Sequence, residues 1–302
     1  MRHGRYRFLI GALAPPLLLY GVFVVSPYAQ AFYLALTDWD GLSAEARIVG
    51  LANFADLWSD PLFLAALRNN GIMLLVVPTA VIALALFFAA CLTLGGGTKR
   101  RGVRGSGLYR IVYFFPQLLS VAILGVLFQF VYTPGDGLLN GLLGAVGLDS
   151  LERAWLADPA TALPAVTAVM IWSAVGFYVV LFTAAMESVP TDVVEAAVLD
   201  GAGRFTVFRR ITLPLVGDSV QTAFVYLGIL ALDGFALVQI MTVGPGGPDN
   251  ATEVVGLTLY RAAFTYGEFG YASAMGVTLF FITLTLTALA LRATRRERVE
   301  LA

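Results

Sequence analysis

Glu195 to Pro214 reads EAAVLDGAGRFTVFRRITLP. This charged, glycine-punctuated segment lies between two long apolar runs, and its reading decides how the rest of the chain is read. Connections in a helical bundle usually take about two to eight residues; the polar stretch 187–213 is far longer and predicts structure of its own. Pro190 suits a first helical turn, and Asp192 with Glu195 three residues on reads as a cap pair. Val194, Ala197 and Val198 share one face at i, i+3, i+4 spacing, which predicts a short helix with a mildly apolar side. Gly201 interrupts it. Phe205, Phe208 and Ile211 then recur every third residue, predicting a second short helix whose Arg204, Arg209 and Arg210 meet water or lipid headgroups. The product is a helix-Gly-helix elbow too polar to enter a bilayer. Its small residues Ala196, Ala197, Gly201 and Ala202 leave room for another protein to approach the backbone. On periodicity alone, a passive connector explains the segment as well as a docking site does.

The surroundings of the elbow are lipid-soluble. Hydrophobic residues make up 59% of the 302, charged residues only 13%, and the mean hydropathy is +0.82, so the chain is an integral membrane protein. Apolar runs near the roughly 20 residues needed to cross a bilayer fall at about 8–37, 71–94, 109–132, 160–186, 214–242 and 270–291. The fold class is therefore all-α, with six transmembrane helices in one transmembrane domain, 1–302, and the elbow between helices four and five. The first run is too long for a signal h-region, and Pro15, Pro16 and Pro27 predict a kinked or tilted span. Residues 38–69 read as an extramembrane loop, with turns or short interfacial helices at Asn53-Phe54 and Asp60-Pro61. Gly95-Gly96-Gly97 closes span two, and Thr133-Pro134-Gly135-Asp136 caps span three. Pro214 opens span five.

Charge sets the expected orientation. The N-terminus, the 95–110 loop, the elbow and the tail carry fifteen of the 19 basic residues, leaving Arg47, Arg68, Arg153 and Arg261 for the other loops. Basic loops stay inside. Both termini and the elbow are thus expected in the cytoplasm of a multi-pass plasma-membrane protein.

Little here supports catalysis. His3 is the only histidine, which argues against a His-based triad or zinc site. Cys91, alone in an apolar run, reads as a small buried hydrophobe. Gly95-Gly96-Gly97-Thr98-Lys99 lacks the Gly-Lys-[Ser/Thr] order of a phosphate loop and reads as a helix stop. No catalytic residue, metal site, cofactor or nucleic-acid partner is expected.

The elbow resembles the signature loop of permease subunits of binding-protein-dependent ABC importers. Glu195, Ala196, Ala197, Gly201, Ile211, Leu213 and Pro214 meet its defined positions, and Asp200 and Ala202 match the fuller form of the sugar-importer branch. Val49 to Asn70, Tyr113 to Pro116, Gly137 to Asn140 and Phe269 to Gly276 are similar to the same carbohydrate and glycerol-3-phosphate branch, so the likeness covers nearly the whole chain. One departure follows span five: the usual Thr-x-Gly-Gly-Pro is two residues longer here, Thr242 to Pro248. The resemblance implies that the helix before Gly201 docks in a cleft of a cytoplasmic ATPase, with Glu195, Ala196, Ala197, Asp200, Gly201 and Ala202 as coupling residues. It implies as partners a second permease subunit, forming a heterodimer, two ATPase subunits that bind the ATP, and an extracytoplasmic solute-binding protein.

Span five carries the sharpest intramembrane anomaly. Asp233 lies about 28 Å beyond Pro214 along a helix, and an acid exposed to hydrocarbon costs several kcal/mol, so it faces a cavity, a partner or the headgroups. Tyr226, Gly234, Phe235 and Gln239 neighbour it, and the resemblance places part of the substrate path on this span. Gln117, Gln129, Trp172, Gly176 and Tyr178 on spans three and four are weaker candidates, which read rather as packing or interfacial anchors. The leading function is half of the pathway of an ATP-driven sugar importer. An ion-gradient-driven secondary transporter is the alternative, weakened by the lack of a visible internal repeat; a membrane enzyme comes third.

Overall fold

The structure is a computed structural model that describes residues 2–43, 45–94, 112–242, 244 and 246–293. The basic 95–110 segment, the Gly95-Gly96-Gly97 stop, the first residues of the third apolar run, Val243, Pro245 and the tail after 293 lie outside the described residues. The helices are α1 (Arg2–Tyr20), α2 (Ser26–Leu34), α3 (Ala52–Leu57), α4 (Pro61–Leu94), α5 (Val121–Val131), α6 (Leu138–Ala145) and α7 (Pro159–Glu187). After them come α8 (Thr191–Leu199), α9 (Arg204–Val207), α10 (Leu213–Leu215), α11 (Gly217–Leu232), α12 (Phe235–Met241), α13 (Val255–Phe264) and α14 (Phe269–Ala293). One isolated antiparallel bridge, Thr37 to Ile48, is the only β pairing among the described residues. Gly11–Leu34, Pro61–Thr93, Pro159–Glu187 and Phe269–Arg292 are long and apolar enough to cross a membrane; two bent helix pairs raise the number to six if each is one span.

The chain divides into two compact units, one of Met1–Leu64 with Thr258–Phe281, the other of Ala65–Leu257 with Ile282–Ala302. In the first, α1 runs through Pro15 and Pro16 and meets α2 in a π turn, Gly21–Val25. Pro27 has no N–H for the Phe23 carbonyl, and the wider turn, in which the Ser26 N–H donates to Gly21 O, absorbs the fault. No residue from Gly11 to Leu34 is buried. The Phe32 ring meets Phe280 and Phe281 of α14 edge-on at 5.8 and 5.9 Å. Beyond α2, buried Asn53 of α3 donates to the carbonyls of Ala35 and Thr37 (2.9 and 2.8 Å), tying the first loop to the helix end. Asp40 holds that loop's tip: its carboxylate accepts from the backbone N–H of Ser43, the Ser43 hydroxyl and the Leu42 N–H, bonds that draw its pKa down to about 2.

The second apolar helix starts ten residues before the sequence boundary. Pro61 occupies its first position, and the Asp60 carboxylate accepts the Leu62 N–H at 2.8 Å, so Asp60-Pro61 is a helix start rather than a turn in a loop. Cys91, expected inside, sits on an exposed face of this helix.

The core of the second unit is built on α7, whose apolar residues run all round the helix and are buried accordingly. Val166, Val169, Val179 and Phe182 are fully enclosed there. Against them α4 presents Met73, Val77, Val81, Ala85 and Ala89 at every fourth residue, and α11 presents Ala223, Leu227 and Ala231 at the same spacing. α7 opens at Pro159, with the Asp158 carboxylate accepting the Ala160 N–H. Close approach is set by glycines, as expected where packing rather than hydrophobicity joins helices. A Cβ on Gly176 would fall on the Tyr113 carbonyl, and one on Gly125 would lie 2.6 Å from the Ile240 side chain.

Two expected spans are broken. In the third, Pro116 lies in a 3-10 turn (Phe115–Leu118), Leu119 and Ser120 are extended, and Ser120 caps α5; the two arms meet at 109°. The fifth does not start at Pro214. That residue lies in α10, Val216 leaves the helical region, and Arg204–Leu215 meets Gly217–Leu232 at 66°. Asp233 and Gly234 then break the run again before α12.

Candidate functional site

The elbow consists of α8, a turn at Asp200 to Gly203, α9 and a π turn, Phe208–Thr212, leading into α10. Its first helix begins without a side-chain cap: Pro190 is the N-cap, and the expected Asp192–Glu195 pair does not form one. Its end is tightly specified. Gly201 has φ +83°, its N–H donates to Val198 O at 3.0 Å, and the Ala202 N–H donates to Ala197 O at 2.9 Å. These two bonds and a left-handed residue define a Schellman ending, which satisfies carbonyls a helix terminus leaves open. Ala196, Ala197 and Ala202 thus surround the turn, with Ala197 and Ala202 half-buried and Glu195, Ala196, Asp200 and Gly201 exposed.

Val194 and Phe208 pack against the core of the second unit, which fixes the elbow to the bundle. The other apolar residues project. Leu199 is 87% and Phe205 72% exposed, with Val193 and Val198 exposed beside them. Phe205 therefore does not share the inward face of Phe208 that the three-residue spacing suggested. Arg204, Arg209 and Arg210 are exposed, as expected.

On α11, the face opposite Ala223, Leu227 and Ala231 carries Asp218, Thr222, Tyr226, Ile229 and Asp233, all exposed at a spacing of three or four residues. An acid or hydroxyl thus recurs along about 22 Å of helix on a face turned away from the chain's own core. Asp233 is the C-cap of α11, its N–H donating to Ile229 O. The carbonyls that this break would orphan go to a residue sequence reasoning missed. Asn70 of α4, fully buried, donates to Ala231 O and Leu232 O (3.4 and 3.2 Å) and accepts the Val255 N–H at the start of α13 (2.8 Å). One amide closes a helix end and opens another. Neighbouring Asn69 donates to Ala251 O and Glu253 O (3.1 and 2.9 Å), holding the glycine-rich loop before α13, in which Gly244, Gly246, Gly247, Asp249 and Asn250 all have positive φ. The only signal for these two asparagines was their place in the Val49 to Asn70 string.

The family model of the binding-protein-dependent transport system inner membrane component matches residues 49–299. The chain belongs to this family. Among its relatives, the diacetylchitobiose uptake system permease protein NgcF of Streptomyces coelicolor is 46% identical over 94% of this chain and 81% of that protein. A probable ABC transporter permease protein, YurN of Bacillus subtilis, is 37% identical over 95% of this chain and 94% of its own length. The fold is similar to that of a bacterial ABC transporter involved in the import of the acidic polysaccharide alginate, with a TM-score of 0.79 at 23% identity over 98% of this chain and 97% of that one. The chain is a permease subunit of an ABC importer, a transport component rather than an enzyme, which sets the secondary-transporter alternative aside.

Within the permease the remaining candidates separate by burial. Tyr226 is 64% exposed, and Gln239 on α12 is exposed like Asp233. Gly176, Tyr178 and Gly234 are buried. Gly176 lets α7 touch the Tyr113 backbone, Gly234 lies against the methyls of Met73 and Met170, and Tyr178 packs in the core beside Phe182. Phe235 is half-buried, its Cβ against Gly256. These four set the helix positions, while the exposed three present chemistry outward. Gln129 is a packing residue, as read from the sequence: its amide donates to the Ile240 carbonyl at 2.5 Å.

Proposed function

We propose that this permease supplies one half of the translocation path for a sugar and takes its driving force from cytoplasmic ATPase subunits that grip the elbow. The observation that carries the reading is the pair Leu199 and Phe205, large apolar side chains held in the open at the two sides of a rigid Schellman turn. An unpartnered monomer gains nothing from presenting them, whereas burying one in a partner's cleft contributes about 1.5–3 kcal/mol. Glu195, Ala196, Ala197, Asp200, Gly201 and Ala202 form the coupling surface around them. ATP binds to the partner, so the permease needs no cofactor of its own.

The exposed Tyr226, Asp233 and Gln239 line the path, with Gly176, Tyr178, Gly234 and Phe235 placing the helices behind them. A second permease subunit covers this face, and an extracytoplasmic binding protein delivers the cargo. Residues 1–302 act as one transmembrane domain of six spans in the plasma membrane, with both termini and the elbow on the cytoplasmic side, an orientation supported by the excess of basic residues in those segments. The 46% identity to a diacetylchitobiose permease makes a short amino-sugar oligosaccharide the first cargo to test.

The test is Leu199→Asp with Phe205→Asp in the assembled importer. Co-purification of the ATPase and uptake should both fall by about tenfold or more, as expected for losing one such contact, while membrane insertion is unchanged. Unchanged uptake with the ATPase still bound would sink the coupling role. Uptake should also survive an uncoupler as long as ATP is maintained.

A further inference from the structure

Between the Pro61 end of α4 and the Pro159 end of α7 lies an open groove of about 510 Å3. Ile72 and Val76 line it from α4, and Ala160, Pro164, Ala168 and Ile171 from α7, where small residues at every fourth position leave a trough. Its polarity is ordered. Two lining polar side chains are engaged, Asn69 with the Ala251 and Glu253 carbonyls and Thr167 with Leu163 O (2.7 Å). That leaves the Arg68 guanidinium at the mouth. Arg68 is exposed and makes no ion pair or hydrogen bond among the described residues. The acid nearest in sequence to the mouth, Asp158, accepts the Ala160 N–H, and the positive end of the 29-residue α7 opens there as well.

Length separates the possible occupants. From Pro159 to Ile171 the groove follows α7 for about 18 Å, close to one leaflet of a hydrocarbon core about 30 Å thick. A transmembrane helix from another subunit would need a trough running on through the second leaflet. A cation at one end and an apolar slot one leaflet deep match a lipid, phosphate first and chain second. We propose that this groove binds one anionic phospholipid, with its phosphate on Arg68 and one acyl chain lying along α7 to Ile171.

The assembled importer in phosphatidylcholine nanodiscs doped with phosphatidylglycerol, analysed by native mass spectrometry, tests this directly. The wild type should retain one phosphatidylglycerol per copy of this chain. Arg68→Gln should lower that retention by roughly tenfold, the loss of one charge-assisted hydrogen bond, and Ala168→Trp, which fills the slot without touching Arg68, should abolish it. Both positions are exposed, so assembly and melting temperature should hold. Equal retention of phosphatidylcholine, or lipid kept by Ala168→Trp, would overturn the proposal. So would a photo-crosslinker at position 168 that labels the second permease subunit instead of lipid.

Discussion

Gly201→Ala isolates the conformational requirement of the elbow from every contact it makes. A Cβ at this position meets no atom within 4 Å, so nothing is displaced. The whole cost is the backbone's: φ is +83°, and an L-residue held in the left-handed region costs about 1–2 kcal/mol. That corresponds to a roughly 5- to 30-fold shift in the local ratio of closed to open turn. Asparagine occupies this region more readily than alanine, so Gly201→Asn should lie between the two. Hydrogen exchange reads the turn at the Gly201 and Ala202 amides, which donate to Val198 and Ala197. Protection there should fall in the order Gly, Asn, Ala, and ATP-driven uptake in proteoliposomes should follow the same order. The melting temperature should fall by no more than this strain accounts for, because the residue is exposed and its added Cβ displaces nothing. Alanine protection equal to wild type, or asparagine worse than alanine, would refute the reasoning.

Other sites should respond by different physics. Gly176→Ala places a methyl on the Tyr113 backbone carbonyl, which cannot rotate away as a side-chain tip can, and should lower thermal stability by about 1–3 kcal/mol or more; Gly71→Ala, with open space on the same kind of helix, should be neutral or up to about 1 kcal/mol stabilising. Asn70→Leu keeps the volume but strands two carbonyls and one N–H at about 1–3 kcal/mol per buried group, at the low end for the carbonyls given their 3.2–3.4 Å bonds, and urea unfolding should show it. In the first loop the Asp40 pKa is lowered from 3.8 to about 2, so its contribution to loop order is full above pH 4 and is lost as pH falls towards 2. Trp39, whose indole donates to Ser43 O in the same loop, reports that change by fluorescence once Trp58, Trp155 and Trp172 are replaced by Phe; in Asp40→Asn the transition should vanish.

What the sequence made legible was whatever a short window can see. The hinge at Gly201 showed because no other residue type takes φ +83° without strain, and span four showed because a long uncharged apolar run follows the acids of the preceding loop. The breaks at Ser120, Val216 and Asp233-Gly234 did not, since each lies inside an apolar run that hydropathy reads as continuous. Such a break is tolerable in a membrane only if its freed backbone groups find partners, and for Asp233-Gly234 that partner is Asn70, about 160 positions away in the chain. The same remoteness misplaced the start of α4. Arg68, Asn69 and Asn70 look like loop residues in a window, yet both asparagines spend their amides on buried carbonyls and so belong inside a helix. Polar residues that bond inward are invisible to composition, and here they brace the break beside Asp233 from behind. The two kinds of polar residue are therefore separable by experiment: replacing Asn70 should lower stability, whereas replacing exposed Asp233 should change uptake and leave stability alone.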